Sequence, residues 1–95
     1  MVNTVSVRDL RRMTFHRRRR LLDLRDPEDF AAGHYPGAEN YPYGNMETWK
    51  QRLPRGTEYI LLCEHGSTAL RATAELERLG YQAAAVVGGY SYLKL

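Results

Sequence analysis

Apolar residues fall along the chain in short runs separated by polar, turn-rich stretches. Tyr59-Ile60-Leu61-Leu62 is an unbroken apolar run that reads as a buried strand ending on Cys63. Over residues 69–79, Leu70, Thr73, Leu76 and Leu79, with Ala69, Ala72 and Ala74, recur at helical spacing. Arg71, Glu75, Glu77 and Arg78 fall largely outward, with Glu75 in reach of Arg71 and Arg78. Gly80 caps this helix. Residues 21–24, Leu21-Leu22-Asp23-Leu24, and 83–87 give two more strands too apolar to be half-exposed. Residues 38–41 give a short one near Pro42, and Val5-Ser6-Val7 an edge strand.

Helix starts are marked by their caps. Asp26-Pro27-Glu28-Asp29 places an acid at the N-cap, proline at the first helical position and an acid at the third; Gly33 stops that helix after Ala32. Ser6 with Asp9 three residues later is a weak capping box for a helix over 8–13. Asn45 caps a helix over 46–53, closed by Pro54, and His34-Tyr35-Pro36-Gly37 makes a turn. Strands alternating with short helices predict an α/β fold: a central parallel sheet with helices on both faces. In such sheets the ligand crevice lies beyond the carboxyl ends of the strands. The residues at those ends are Asp23 and Arg25, the stretch 63–68, and Gly88-Gly89.

Ninety-five residues suit one domain spanning 1–95, with the basic segment 8–20 part of it. There is no apolar stretch near 18 residues and no apolar signal region at the start, so neither a membrane span nor a signal peptide is expected. A single cysteine forms no internal disulfide and suits a reducing compartment, and a cytoplasmic location is expected. His16, His34 and His65 lack metal-site spacing, so no metal site is expected. The net charge of +3 hides a split: residues 1–20 carry seven arginines against Asp9 alone, and the rest carries seven basic and ten acidic residues. The tract His16-Arg17-Arg18-Arg19-Arg20 reads first as a solvated face. Without interleaved aromatics or a recognition helix, contact with nucleic acid or an acidic partner is the lesser reading.

Cys63 carries the candidate chemistry. A thiol between a buried strand and a helix N-terminus lies where unpaired N–H groups favour negative charge. A small buried cysteine is often only a core residue. The polar loop Glu64-His65-Gly66-Ser67-Thr68 and the tight curl that Gly66 permits shift the balance toward function.

The sequence resembles the rhodanese (sulfurtransferase) family in its small form. Leu22-Asp23-Leu24-Arg25, Glu28-Asp29-Phe30, Gly33-His34, Pro36-Gly37-Ala38 and Asn40 match the family's early motif, D-V-R…E-F…G-H-I-P-G-A-x-N. Residues 63–68 match its active loop, C-x-x-G-x-[R/T/S], and Gly88-Gly89 its late glycine pair. The resemblance implies a double displacement: Cys63 takes the outer sulfur of a donor such as thiosulfate and passes it to cyanide or a thiol. The only carrier is a transient cysteine persulfide. Amides of Glu64, His65, Gly66, Ser67 and Thr68 would hold persulfide and donor, with the hydroxyls of Ser67 and Thr68 adding donors. Asp23 and Arg25, at a strand end beside the loop, read first as a structural pair that pins the strand and the following turn, with electrostatic tuning of the site the lesser reading. His34 reads as a hydrogen bonder that fixes its turn rather than as a base. Tyr90 and Tyr92 either wall the pocket or pack the core.

The loop departs from many members, which place arginine or lysine there. Glu64 brings a negative charge that disfavours the thiolate and opposes a dianionic donor, unless its side chain points to solvent. His65 is either a donor to substrate or a solvent-facing loop residue. Leu93 stands where the family has tryptophan, and the closing segment to Leu95 is expected to be minimal and less rigid. A cysteine phosphatase would need arginine six positions after the nucleophile, where Ala69 stands. The competing readings are a persulfide carrier or protein-binding module with little thiosulfate activity, and an adaptor with an inert thiol.

Overall fold

The computed structural model describes residues 2–93. Strands β1 (Thr4–Val5), β2 (Arg19–Asp23), β3 (Ala38–Asn40), β4 (Glu58–Leu62) and β5 (Gln82–Val86) form one sheet in the order β1-β5-β4-β2-β3. Every neighbouring pair is parallel. Helices α1 (Val7–Leu10), α2 (Pro27–Ala32), α3 (Met46–Trp49) and α4 (Ser67–Arg78) make the crossovers. The step from β2 to β3 runs toward one edge, and the steps to β4 and β5 run toward the other. Right-handed crossovers therefore put α2 on one face and α3 and α4 on the opposite one.

The strands alternate their side chains between two packed layers. Leu22, Leu61, Ala83 and Ala85 meet Trp49, Ala72 and Leu76 on the α3/α4 face. Leu21, Ile60, Leu62, Ala84 and Val86 meet Leu10 and Leu93 on the other. Leu93, at the position expected of tryptophan, is buried in that second layer. The expectation for the segment closing at Leu95 lies outside the described residues.

The elements differ from the sequence expectations mainly at their ends. Ser6 Oγ accepts the Asp9 N–H at 3.0 Å, as the capping box requires, but α1 ends at Leu10 rather than 13. Asp26 and Asn45 occupy N-cap positions without side-chain cap bonds. A 3-10 turn at Tyr43–Asn45 precedes α3, which stops at Trp49 instead of reaching 53. The Trp49 indole N–H, bonded to Pro42 O at 3.0 Å, fixes this short element where helix propensity alone would extend it.

Three corrections concern exposure and pairing. Leu70 and Ala74 are exposed: α4 buries the stripe Ala69, Ala72, Thr73 and Leu76, and Leu70 lies one position off it. Glu75 pairs with Arg78 at 2.6 Å and with Lys50 at 2.7 Å, not with Arg71. Hydrogen bonds from Arg78 and then Lys50 hold its carboxyl down to about 2. The basic tract is only partly a solvated face, because β2 begins inside it. Arg19 pairs with Glu58 at 2.8 Å, and Arg20 grips Glu39 through two bonds while lying against Tyr41 and Tyr59.

Candidate active site

Cys63 follows β4, which lies between β5 and β2, so the loops leaving these three strands meet at one place. The thiol is buried, 4% exposed, in the layer beneath α4. Gly66, at φ +99°, turns the chain back on itself and becomes the N-cap of α4. The helix therefore begins at Ser67, two residues earlier than the apolar spacing indicates, and Ser67 and Thr68 form its first turn. Cys63 Sγ accepts the N–H of Gly66 at 3.0 Å and of Ala69 at 3.2 Å. The Ala69 N–H belongs to the helix's first turn, whose amides have no intrahelical acceptor. Among the described residues, the N–H groups of Glu64, His65, Ser67 and Thr68 also lack an acceptor. Two donors thus converge on the sulfur, at the positive end of a twelve-residue helix.

The glycine pair lets the loop lie against the segment after β5. Tyr90 N–H donates to Cys63 O at 2.7 Å and Ser91 N–H to Glu64 O at 3.0 Å, so the loop's carbonyls are tied to the segment after β5. Two backbones can approach this closely only without side chains between them. A Cβ on Gly89 would overlap Cys63 O and stand 2.6 Å from Glu64 O; one on Gly66 would stand 3.1 Å from Gly88 N. Gly89 also sits at φ +72°, ψ −167°, a region reserved for glycine.

Asp23 and Arg25 brace the site from the β2 side. Arg25 Nε and Nη2 bond the Asp23 carboxylate at 2.9–3.2 Å, and Nη2 also reaches Gly33 O at 2.7 Å. Both side chains are nearly inaccessible. Removing one partner from such a pair leaves an uncompensated charge, at about 3–5 kcal/mol. Burial opposes the Arg25 charge, but the hydrogen bond and field of Asp23, with Tyr90 and Glu64, outweigh it and hold the guanidinium protonated. Asn40 ties β3 to the same corner through Asp23 O and Arg25 O. The His34 ring lies 2.8 Å from Phe30 O and stacks on Phe30, which fixes the turn.

Arg25 reaches the loop as well. Its guanidinium lies 3.6 Å from the centre of the Tyr90 ring, and Nη1 is 3.8 Å from the half-exposed Glu64 carboxylate. The negative charge at the first loop position is therefore partly compensated by a buried cation. His65 is exposed, its Nδ1 3.5 Å from Ser91 Oγ; Ser67 is exposed and Thr68 half-buried. The structure thus gathers Cys63, the 64–68 loop, Asp23, Arg25, Gly88 and Gly89 at one pole. Tyr90 serves as the aromatic floor under Arg25, and Tyr92 is largely exposed against Gly88. Ser91, whose amide anchors Glu64, carries no sequence signal beyond its place after the glycine pair.

Comparison with known proteins follows the same outline. The rhodanese-like domain model matches residues 6–94. Thiosulfate sulfurtransferase 16, chloroplastic, of Arabidopsis thaliana is 33% identical over 85 residues, covering 76% of this chain and 71% of the relative. The Homo sapiens thiosulfate:glutathione sulfurtransferase is 33% identical over 95 residues, covering 85% and 83%. The structure of the human single-domain sulfurtransferase TSTD1 superposes with a TM-score of 0.80 at 30% identity, over 99% of this chain and 97% of that one.

Proposed function

The chain belongs to the rhodanese-like domain family, and from that membership we propose that it transfers sulfane sulfur through a persulfide on Cys63. In the first step the Cys63 thiolate attacks the outer sulfur of thiosulfate. The new S–S bond forms as the donor's own S–S bond breaks, and sulfite leaves with the electron pair. In the second step cyanide or a thiolate attacks the terminal sulfur, carries it away and restores the Cys63 thiolate. Negative charge sits on sulfur throughout, and fixed N–H donors cost no reorganisation as it moves. The observation that carries this reading is the pair of amides, Gly66 and Ala69, aimed at Sγ.

Thiosulfate turnover tests the donor. Glu64 lies within the field that an incoming dianion meets, and Arg25 offsets it only in part. Glu64→Arg is expected to raise kcat/KM for thiosulfate about tenfold at low salt, and Glu64→Gln about threefold, with both gains shrinking as salt screens them. No gain in either variant would mean that the carboxylate is not felt at the sulfur.

A protein thiol as the natural exchange partner is favoured by a specific observation. The exposed large apolar side chains Tyr43, Leu70, Val87 and Tyr92 all follow the carboxyl ends of strands or lie in the first turn of α4, which puts them on the same side of the sheet as Cys63. A small anion needs no such surface; a docking protein does. The double variant Leu70→Gln/Tyr92→Gln, which adds no charge near the anionic donor, is expected to slow sulfur transfer to reduced thioredoxin about tenfold while leaving transfer to cyanide within twofold. Equal loss with both acceptors would remove the case for a docking surface.

A further inference from the structure

The opposite pole of the sheet, where β2 and β4 begin, holds a cavity of about 710 Å³. The five residues of β4 separate it from Cys63 by roughly 16 Å. At its rim His16 and Arg19 exchange backbone hydrogen bonds of 2.9 and 3.0 Å, closing a tight turn with Arg17 and Arg18 at its tip. That turn is fastened to the sheet: Arg17 O accepts the hydroxyl of buried Thr57 at 2.9 Å, and Arg18 O accepts the Glu58 N–H at 2.9 Å. Tips of such turns favour glycine, asparagine or aspartate. Here they carry two arginines on an anchored backbone.

The charge at this cavity is available. Arg19 and Arg20 are committed to Glu58 and Glu39, but among the described residues Arg17 and Arg18 have no acidic partner. Glu39 also lines the cavity, yet both its carboxylate oxygens are held by Arg20. Arg55 adds positive potential while its guanidinium rests on Leu79 O and the Tyr81 ring. His16 Nδ1 accepts the Arg18 N–H at 3.2 Å, so the proton of the neutral ring is on Nε2, a further donor. Phe15 and Pro54 supply an apolar wall.

We propose that this cavity binds a phosphorylated anion of nucleotide size, with its phosphates on Arg17, Arg18 and His16 Nε2 and its ring against Phe15 and Pro54. Planar guanidinium groups match phosphate oxygens through paired hydrogen bonds, and the volume lies within the range of small-molecule pockets. The same chemistry is offered by a free nucleotide or by the end of a nucleic acid strand; the proposal is the free nucleotide. It stands independently of the sulfur chemistry.

The test is amide NMR titration of the full chain at low salt with ADP, inorganic phosphate and a single-stranded oligonucleotide. ADP is expected to shift the amides of residues 15–20, 37–39 and 55–57 saturably and to bind at least tenfold tighter than phosphate. The double variant Arg17→Glu/Arg18→Glu is expected to weaken ADP binding at least tenfold, whereas Arg12→Glu, on the exposed surface outside the cavity, changes it less than twofold. Cys63→Ser is expected to bind ADP as wild type does. Shifts centred on 63–68, equal affinity for phosphate and ADP, or equal weakening by Arg12→Glu would overturn the proposal. So would an oligonucleotide bound tighter than ADP and lost equally in all the charge variants, which would mark a diffuse basic surface.

Discussion

Cys63→Ser is expected to lower thiosulfate-to-cyanide turnover by at least about 10³-fold while shifting the unfolding temperature by no more than a few degrees. The two effects separate because they depend on different properties of the side chain. A serine hydroxyl is a weak nucleophile without an adjacent base, and among the described residues the hydrogen-bond partners of Sγ are backbone N–H groups, which accept no proton. Its oxygen also provides no sulfur leaving group for the second displacement. Structurally, the smaller hydroxyl can still accept from the Gly66 and Ala69 amides that now bond Sγ, so the loop keeps its fastening. Steady-state assay with parallel thermal unfolding reads both. Turnover above a tenth of wild type in a fully folded variant would show that sulfur passes by another route.

Gly89→Ala is expected to destabilise the fold by about 2–4 kcal/mol, from a left-handed backbone forced on alanine together with overlap against fixed backbone. In a chain this small each kcal/mol lowers the unfolding temperature by about 4–8 °C. The overlapping atoms are carbonyl oxygens of Cys63 and Glu64, which cannot move aside as a flexible side chain would. Relief must come from parting the loop from the Tyr90 and Ser91 amides, so the Gly66 and Ala69 amides should loosen their hold on Sγ and sulfur uptake should fall in whatever fraction remains folded. Gly56→Ala is the matched control. Gly56 has φ +79° but nothing within 4 Å of the added Cβ, so it carries the conformational penalty alone, about 1 kcal/mol. Equal unfolding temperatures for the two variants would contradict the claim that the glycine pair exists for backbone contact.

Much of this arrangement was legible from one chain. The strand Glu58–Leu62 announces itself by apolar residues that must be buried on both faces, and Gly66 announces the curl that follows. Once a parallel sheet is inferred, the carboxyl-end rule brings Asp23, Arg25, Cys63 and Gly88-Gly89 to one pole without any side-chain contact being known. What stayed hidden has physical reasons. The start of α4 at Ser67 depends on the left-handed turn at Gly66, which apolar spacing does not record. Leu70 lies about 100° around the helix from Ala69, beyond the edge of the buried stripe, and its apolar character alone does not tell where that edge falls. Arg20 looks like a surface charge in sequence, because its partners, Glu39 on β3 and Tyr41 just after it, lie about twenty residues away. Ion pairing across strands depends on register, and register is decided by the whole sheet. Glu64 is the most instructive case. Read alone it opposes an anionic donor, but the fold brings Arg25 within 3.8 Å of it.

The most direct test of sulfur transfer through Cys63 is the intact mass of the reduced protein after incubation with thiosulfate, beside Cys63→Ser. The expected result is the gain of one sulfur on the wild type alone, removed again by cyanide. No gain on a wild-type protein whose thiol still alkylates readily would contradict thiosulfate as the donor, and sulfur gained equally by Cys63→Ser would contradict Cys63 as the carrier.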